Sequence, residues 1–357
     1  MVRVATPEWQ QGKLPVIRPR IEASVWPIED GQWALGGSML CERVADSVSA
    51  PSDAITTWKD GQGVDYCLRP LTTRLPVPPY DNDNAPAIPW NRNTTIFEIG
   101  CDVLIKVNYM AANERSTEGE AMRLVQKLAP SVPVPEAIHF WHDKELERVF
   151  IITRRVHGKM LDDVWHSLKR EDQKQVVKEL AAYTKSLAKI TAPAFQDVEG
   201  HHLAERCLIP YDSDKLEPFT AEELREHMRN VSNGIEPPEF GPEFHLFHAN
   251  TSPSNVLLSG TDEARTEGKS HVHVAGIVDW HDAGFYPKFW ITTLPFIRHP
   301  IYYLSVTQEQ LESPKYPYWA GSYRDCLRRA MEKLGFRDDH LSWWIKHYEG
   351  MGKPPLY

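Results

Sequence analysis

Hydrophobic and polar positions change their period along the chain, and the changes divide it. From residue 94, TTIFEI and VLIKV are β-rich runs separated by Gly100-Cys101-Asp102, which predicts a hairpin. EGEAMRLVQKL then sets Ala121, Leu124, Val125 and Leu128 on one face of a helix ended by Pro130. VPVPEAIHFW and RVFIITRRV read as two further strands. Strand, strand, helix, strand, strand is a compact α+β lobe. Downstream the period becomes helical: in EDQKQVVKELAAYTKSLAKI, Val176, Val177, Leu180, Tyr183, Thr184 and Leu187 recur at 3.6-residue spacing. Thr220 and Glu223 form a capping box ahead of AEELREHMRN. Residues 246–280 return to short strands, HLF, NVLL and HVHVAGIVDW, the last two joined by the polar loop SGTDEARTEGKS. After Pro295, helical and aromatic segments run to the C-terminus.

Upstream of residue 90 the pattern is weaker. Prolines at 7, 15, 19, 27, 51, 70, 76, 78 and 79 predict an irregular arm packed on the main body. Within it, SMLCERVADSV has helical spacing of Leu40, Val44 and Val48. LPVPPYDNDNAPAIPWN (75–91) reads as a linker or wrapping arm. The expected organisation is an N-terminal extension over 1–90, a β-rich lobe over 91–153 and a mainly helical lobe over 154–357.

Composition narrows the partners. Of the 357 residues, 41% are hydrophobic and 25% charged, the proportions of a soluble globular protein. A net charge of −9 argues against nucleic acid and is otherwise explained by solubility. No apolar run has the length of a membrane span and MVRVATPEWQ lacks a signal-peptide core, so no membrane partner and a cytoplasmic location are expected. The cysteines at 41, 67, 101, 207 and 326 are scattered without a CxxC pair, which favours neither a disulfide framework nor a zinc site.

The candidate chemistry lies in residues that are unremarkable singly. Lys106 sits in an apolar strand, where lysines usually snorkel to solvent. Glu120 opens the next helix, where it complements the helix dipole. His248, Asn250 and Asn255 share the loop in FHLFHANTSPSNVLL, and Asp279 ends the run AGIVD. Together they match the requirements of phosphoryl transfer: a cation for the phosphates, a glutamate to hold it, two oxygen ligands for Mg²⁺ and a loop residue at the acceptor. No G-x-G-x-x-G precedes Lys106, so a protein-kinase glycine loop is absent.

IGCDVLIKV, EGEAMRLVQKLAPSVPVPEA, FIITRRVHGKMLDDVW, FHLFHANTSPSNVLL and VAGIVDWHDAGFYPKFWITTLP, in this order and spacing over 94–295, resemble the aminoglycoside phosphotransferase / choline kinase-like superfamily. The fungal branch of that superfamily is the most similar, and WPIEDGQWALGGSMLCERVA and TTWKDGQGVDYCL in the arm share the likeness. The resemblance implies a two-lobed protein-kinase-like α+β fold, with a small β-rich N-lobe and a larger helical C-lobe. It also implies transfer of a phosphoryl group from Mg-ATP to a small-molecule hydroxyl. By it, Lys106 contacts the phosphates and pairs with Glu120, with Glu118 as rival. The segment Thr153, Arg154, Arg155 and Val156 lies beside the adenine, Asn255 and Asp279 hold Mg²⁺, and His248 braces the loop.

Two departures stand against that pattern. The family's HxDxxxxN is HANTSPSN here, so the position of the catalytic aspartate is Asn250; its Asp-Trp-Glu is Asp279-Trp280-His281. An asparagine orients a hydroxyl but does not take its proton; His281 and Asp282 are the neighbouring candidates for a base, but nothing in the sequence places either at the acceptor and solvent exposure is expected of both. The aromatics of FYPKFW, IYYL, YPYWAGSY and SWW are core by spacing, or walls of a pocket for an apolar or aromatic substrate. Residues 285–323 offer only Glu309 and Glu312 as carboxylates for a polar aminoglycoside. Three functions fit: a small-molecule phosphotransferase of specialised metabolism, a nucleotide-binding pseudokinase, and the same fold repurposed for a rearrangement or cyclisation.

Overall fold

The computed structural model describes residues 19–45, 49–78, 87–91, 93–111, 114–203, 205, 208, 216–261, 271–297, 304–305, 315–337 and 340–350. The chain divides into two compact units, Met1–Arg115 with Ile138–Arg154, and Ser116–Ala137 with Arg155–Tyr357. The first is β-rich and the second mainly helical, which is the α+β class expected.

The first unit holds two five-stranded sheets. One has strands β1 (Val25–Glu29), β2 (Gln32–Leu35), β3 (Met39–Val44), β4 (Thr56–Lys59) and β5 (Asp65–Pro70) in the order β1-β2-β3-β5-β4. The other has β6 (Ala87–Asn91), β7 (Thr94–Ile99), β8 (Val103–Tyr109), β9 (Ala137–Asp143) and β10 (Arg148–Arg154) in the order β6-β7-β8-β10-β9. Val25, Leu35, Cys41, Trp58 and Leu68 of the first sheet share one core with Phe97, Val103, Ile105, Val107, Phe150 and Ile152 of the second. β8 shows why: Val103, Ile105 and Val107 are buried while Leu104, Lys106 and Asn108 between them are half-buried, the two-residue period of a strand with unlike faces.

Residues 19–45 and 49–78 therefore carry a sheet where irregular chain was expected. Within SMLCERVADSV, Met39–Val44 is not helical but the middle strand of its sheet, paired with β2 on one side and β5 on the other, and residues 46–48 lie outside the described residues. Met39, Leu40 and Cys41 are all buried, as in a central strand covered on both faces, and the i, i+4 spacing of Leu40 and Val44 comes from residues two strand periods apart. The prolines fall where a sheet tolerates them. Pro27 lies on edge strand β1, Pro70 ends β5, and Pro89 lies on edge strand β6, inside the segment read as a linker.

The second unit begins with α1 (Glu118–Leu128), which buries Ala121, Met122 and Val125 but leaves Leu128 50% exposed. β11 (Lys159–Met160), α2 (Leu161–Val164) and α3 (Arg170–Leu187) follow, the last burying Val176, Val177, Leu180, Thr184 and Leu187 as its period predicts. β12 (Thr191–Ala192) and β13 (Gln196–Asp197) precede α4 (Ala221–Val231), whose capping box is formed: Glu223 N–H donates to Thr220 Oγ1, and Thr220 N–H donates to Glu223. Then come β14 (Phe244–Phe247), β15 (Val256–Ser259), β16 (His273–Ile277), β17 (Gly284–Tyr286), α5 (Lys288–Ile297), α6 (Tyr316–Glu332) and α7 (Leu341–Gly350). The small sheets β11-β15-β16 and β12-β14-β17-β13 carry the loops of interest.

Tyr286, Trp290 and Trp344 are wholly buried and Trp343 is nearly so, with Trp344 Nε1 donating to Thr293 Oγ1 at 3.0 Å. These aromatics are core. The side chains of 316–321, and residues 301–303, Glu309, Glu312 and Cys207, lie outside the described residues.

Candidate functional site

The antiparallel pairing of β15 with β16 sets Val256 opposite Ile277, so Asn255 and Val278 continue side by side beyond the hairpin's open end. Val278 is gripped twice. Its N–H donates to the Asn255 carbonyl at 2.9 Å, and its carbonyl accepts from His248 Nε2 at 3.0 Å. A carbonyl only accepts, so Nε2 carries the imidazole proton and Nδ1 is left as an acceptor. The Asn250 N–H fills it at 3.2 Å. Both ring nitrogens of His248 are thus committed to holding backbone.

The backbone takes unusual turns to achieve this. Ala249 has φ 62° and Asp279 φ 66°, left-handed conformations that L-residues adopt at some cost. Ala249 turns the chain so that Asn250 N–H faces back to His248. Asp279 turns the chain out of β16 directly after the doubly held Val278. Such strain persists where surrounding structure imposes it, and here the surroundings are tight. Of residues 248–255 only Asn250 and Ser254 keep partial exposure. Trp280 packs edge-on against the His248 ring at 4.4 Å, and Tyr323 on α6 donates its hydroxyl to the Thr251 carbonyl at 2.7 Å.

The polar atoms then sort themselves. Asn255 Nδ2 donates to the Asn250 carbonyl at 3.0 Å, which fixes the orientation of the amide. Asp279 Oδ1 meets His281 Nδ1 at 3.0 Å, and His281 Nε2 meets Asp282 Oδ1 at 3.2 Å. An amide oxygen and a carboxylate on adjoining backbone are hard oxygen donors suited to Mg²⁺, which is commonly held by one or two carboxylates plus phosphates and water. Among the described residues no group of three or more His, Cys, Asp and Glu forms a metal cage. Asn250 Oδ1 is buried and accepts no hydrogen bond among the described residues. Leaving such an acceptor unmet costs about 1–3 kcal/mol, so the loop carries a ready place for a donor.

Burial pushes the His248 imidazole down to about 4, outweighing the nearby Asp279 carboxylate. The unfolded chain takes up this proton below about pH 6.5 and the folded chain only near pH 4, so stability contributed by neutral His248 is lost as pH falls through that window. At 1.36 kcal/mol per pH unit the loss is about 3 kcal/mol. Urea unfolding at pH 7 and pH 4.5 should show the wild type losing more stability than His248→Asn by an amount of this order.

The remaining expected site residues fall as follows. Glu120 is on α1, which packs against the turn Trp280–Asp282, so it belongs with Asp279 in the second unit; Glu118 is the more buried of the two glutamates. Lys106 belongs to the first unit, flanked by Ile96 on β7 and Ile151 on β10, on the sheet face opposite Val103, Ile105 and Val107. Thr153 and Arg154 end β10, and the division between units falls between Arg154 and Arg155. Arg154 pairs with Val103, and its guanidinium donates to the Lys59 carbonyl at 2.6 Å and to Asp102 at 3.2 Å. Its side chain is therefore engaged within the first unit. Val278 and Tyr323 were missed by sequence reasoning. Val278 acts through its peptide groups, which no side-chain pattern reports, and Tyr323 reaches the loop from some seventy residues away.

Comparison with known proteins bears on the same segment. Solved structures similar to this chain include the GDP complex of wild-type aminoglycoside 2'-phosphotransferase-IIIa, 15% identical over 74% of this chain and 90% of that one, with TM-score 0.37. Others are aminoglycoside-3'-phosphotransferase of type VIII, 18% identical over 72% and 88% with TM-score 0.42, and aminoglycoside phosphotransferase APH(4)-Ia, 15% identical over 74% and 92% with TM-score 0.38. No curated protein matches. The family model described as "Phosphotransferase enzyme family" matches residues 107–288, a span that runs from β8 through the gripped loop and the Asp279 turn to the start of α5. With more than half of its length inside that match, the chain belongs to the phosphotransferase enzyme family.

Proposed function

We propose that this protein transfers the terminal phosphoryl group of ATP to the hydroxyl of a small molecule, with Asn250 positioning the acceptor instead of deprotonating it. The observation that carries this reading is the double grip on Val278, which holds Asn255 and Asp279 on adjoining backbone beside Asn250. Asn255 Oδ1 and the Asp279 carboxylate would hold Mg²⁺, whose chemistry when bound is to neutralise phosphate charge. Lys106 would meet the phosphates. Asn250 Oδ1 accepts the acceptor's O–H, which aims the oxygen lone pair at phosphorus. His248, with neither nitrogen available, holds the loop and moves no proton.

This reading predicts that saturating Mg-ATP or Mg-GTP raises the melting temperature. A ligand at a hundred times its Kd adds about 2.7 kcal/mol to stability. It also predicts slow label transfer from γ-labelled nucleotide to hydroxylated small molecules, lost in Lys106→Ala. Absence of any melting shift with either nucleotide overturns it. A second reading, nucleotide binding without transfer, is favoured by one observation: neither Asn250 nor the committed His248 ring supplies a base. A melting shift with no label transfer from any acceptor would select it.

A further inference from the structure

An open cavity of about 410 Å³ lies in the second unit where the chain enters β14, whereas the His248 loop begins where that strand ends, after Phe247. The segment 239–243, the first turns of α5, and residues 335–340 between α6 and α7 border it. Its volume lies in the range of small-molecule sites, roughly 300–1,000 Å³. Nothing in the phosphotransfer reading uses it.

Charge does not choose its ligand. Lys288, Arg337, Glu239 and Glu243 line it and are all exposed, two of each sign, so as a set they favour neither a cation nor an anion. The buried part of the lining is aromatic and neutral. α5 packs against β14, and Phe289 and Thr292, three residues apart, share one face of that helix. Phe289 is buried, with the Phe240 ring 5.6 Å away and the His340 ring edge-on at 5.5 Å. Phe336 adds a third phenylalanine.

The polar atoms of the lining call for hydrogen bonds of both senses. His245 Nδ1 meets the Ala188 carbonyl at 2.7 Å, and a carbonyl only accepts, so Nδ1 carries the proton and Nε2 of the neutral ring is an acceptor. That nitrogen makes no hydrogen bond among the described residues. Nor does the hydroxyl of Thr292, which is 3% exposed and can donate, nor the ring of His340. A ligand N–H answers only an acceptor, and an ether or ketone oxygen answers only a donor. A hydroxyl answers both.

We infer that this cavity binds a neutral hydroxylated aromatic molecule, with its ring against Phe289 and a hydroxyl donating to His245 Nε2. Calorimetric titration of the full chain at pH 7.5 with 4-methylphenol tests it, alongside 4-methylanisole, which keeps the ring and the oxygen but has no proton to donate. The phenol should bind and the ether should bind about tenfold more weakly. 4-Hydroxyphenylacetate and tyramine, which add a charge of either sign to the phenol, should bind no more tightly than 4-methylphenol. His245→Asn keeps an N–H for the Ala188 carbonyl and removes Nε2; it should weaken the phenol to the level of the ether and leave the ether unchanged. The inference is overturned if 4-methylphenol gives no saturable heat at millimolar concentration, or if the ether matches it. It is equally overturned if either charged analogue binds tenfold more tightly, or if His245→Asn with an unchanged melting curve binds the phenol as the wild type does.

Discussion

Asn250→Asp should raise the rate of phosphoryl transfer to a hydroxyl acceptor by about 10²–10⁴-fold, the range that general-base catalysis supplies. The two side chains have nearly the same shape, and the backbone on either side of the substituted atom is held in place. The backbone N–H of residue 250 is fixed by His248, its carbonyl by Asn255, and its Oδ1 is buried without a donor. The substitution changes a hydrogen-bond acceptor into a base without moving the acceptor oxygen. In a loose transition state alignment and charge neutralisation dominate, so the wild type retains a slower version of the same reaction. The measurement is kcat/KM for label transfer with the best acceptor found, wild type against variant. An increase below threefold with an unchanged fold would show that residue 250 does not face the acceptor, and the positioning role assigned to it would be wrong. Asn250→Ala should fall below wild type, because it removes the orienting oxygen as well.

The parts of this structure that the sequence made legible are those whose cause is local. The hairpin of β7 and β8 is announced by Gly100, which has φ 66° and whose added Cβ would meet Asp60 Oδ2 at 2.8 Å. The face of α3 and the cap of α4 depend on residues three or four apart, and both are as expected. What was hidden depends on distant partners. β3 pairs with Asp65–Pro70, and nothing within Met39–Val44 shows that strand waiting. Its three consecutive buried residues follow from covering both faces, a property of the sheet and not of the segment. The site divides the same way. That His248, Asn250, Asn255 and Asp279 lie near one another was legible from residue type and order, but the left-handed turn at Ala249 and the double use of Val278 were not, since both are backbone geometry at residues with no chemistry of their own.

Asp279→Asn should reduce turnover by about a thousandfold or more and remove the Mg²⁺-dependent part of the nucleotide melting shift. Asparagine tolerates the left-handed backbone that residue 279 adopts, so the turn out of β16 is kept while the carboxylate is lost. The charge matters because metal-assisted neutralisation is worth several kcal/mol in the transition state, and each 1.36 kcal/mol is tenfold in rate. Asn255 Oδ1 is a neutral ligand and would be left alone with the ion. The asparagine Oδ1 still accepts from His281 Nδ1, which meets Asp279 Oδ1 at 3.0 Å in the wild type, so the ligand-free protein should melt close to wild type. That combination, full stability with the metal-dependent increment gone, separates loss of a ligand from loss of the fold. A variant that keeps the whole Mg²⁺-dependent shift would place the metal elsewhere and remove Asp279 from the site. Asn255→Ala gives the contrasting pattern: it deletes the amide that donates to the Asn250 carbonyl at 3.0 Å, so it should lower both the metal-dependent shift and the melting temperature of the ligand-free protein. The two variants together distinguish a residue whose only task is the ion from one that also builds the loop.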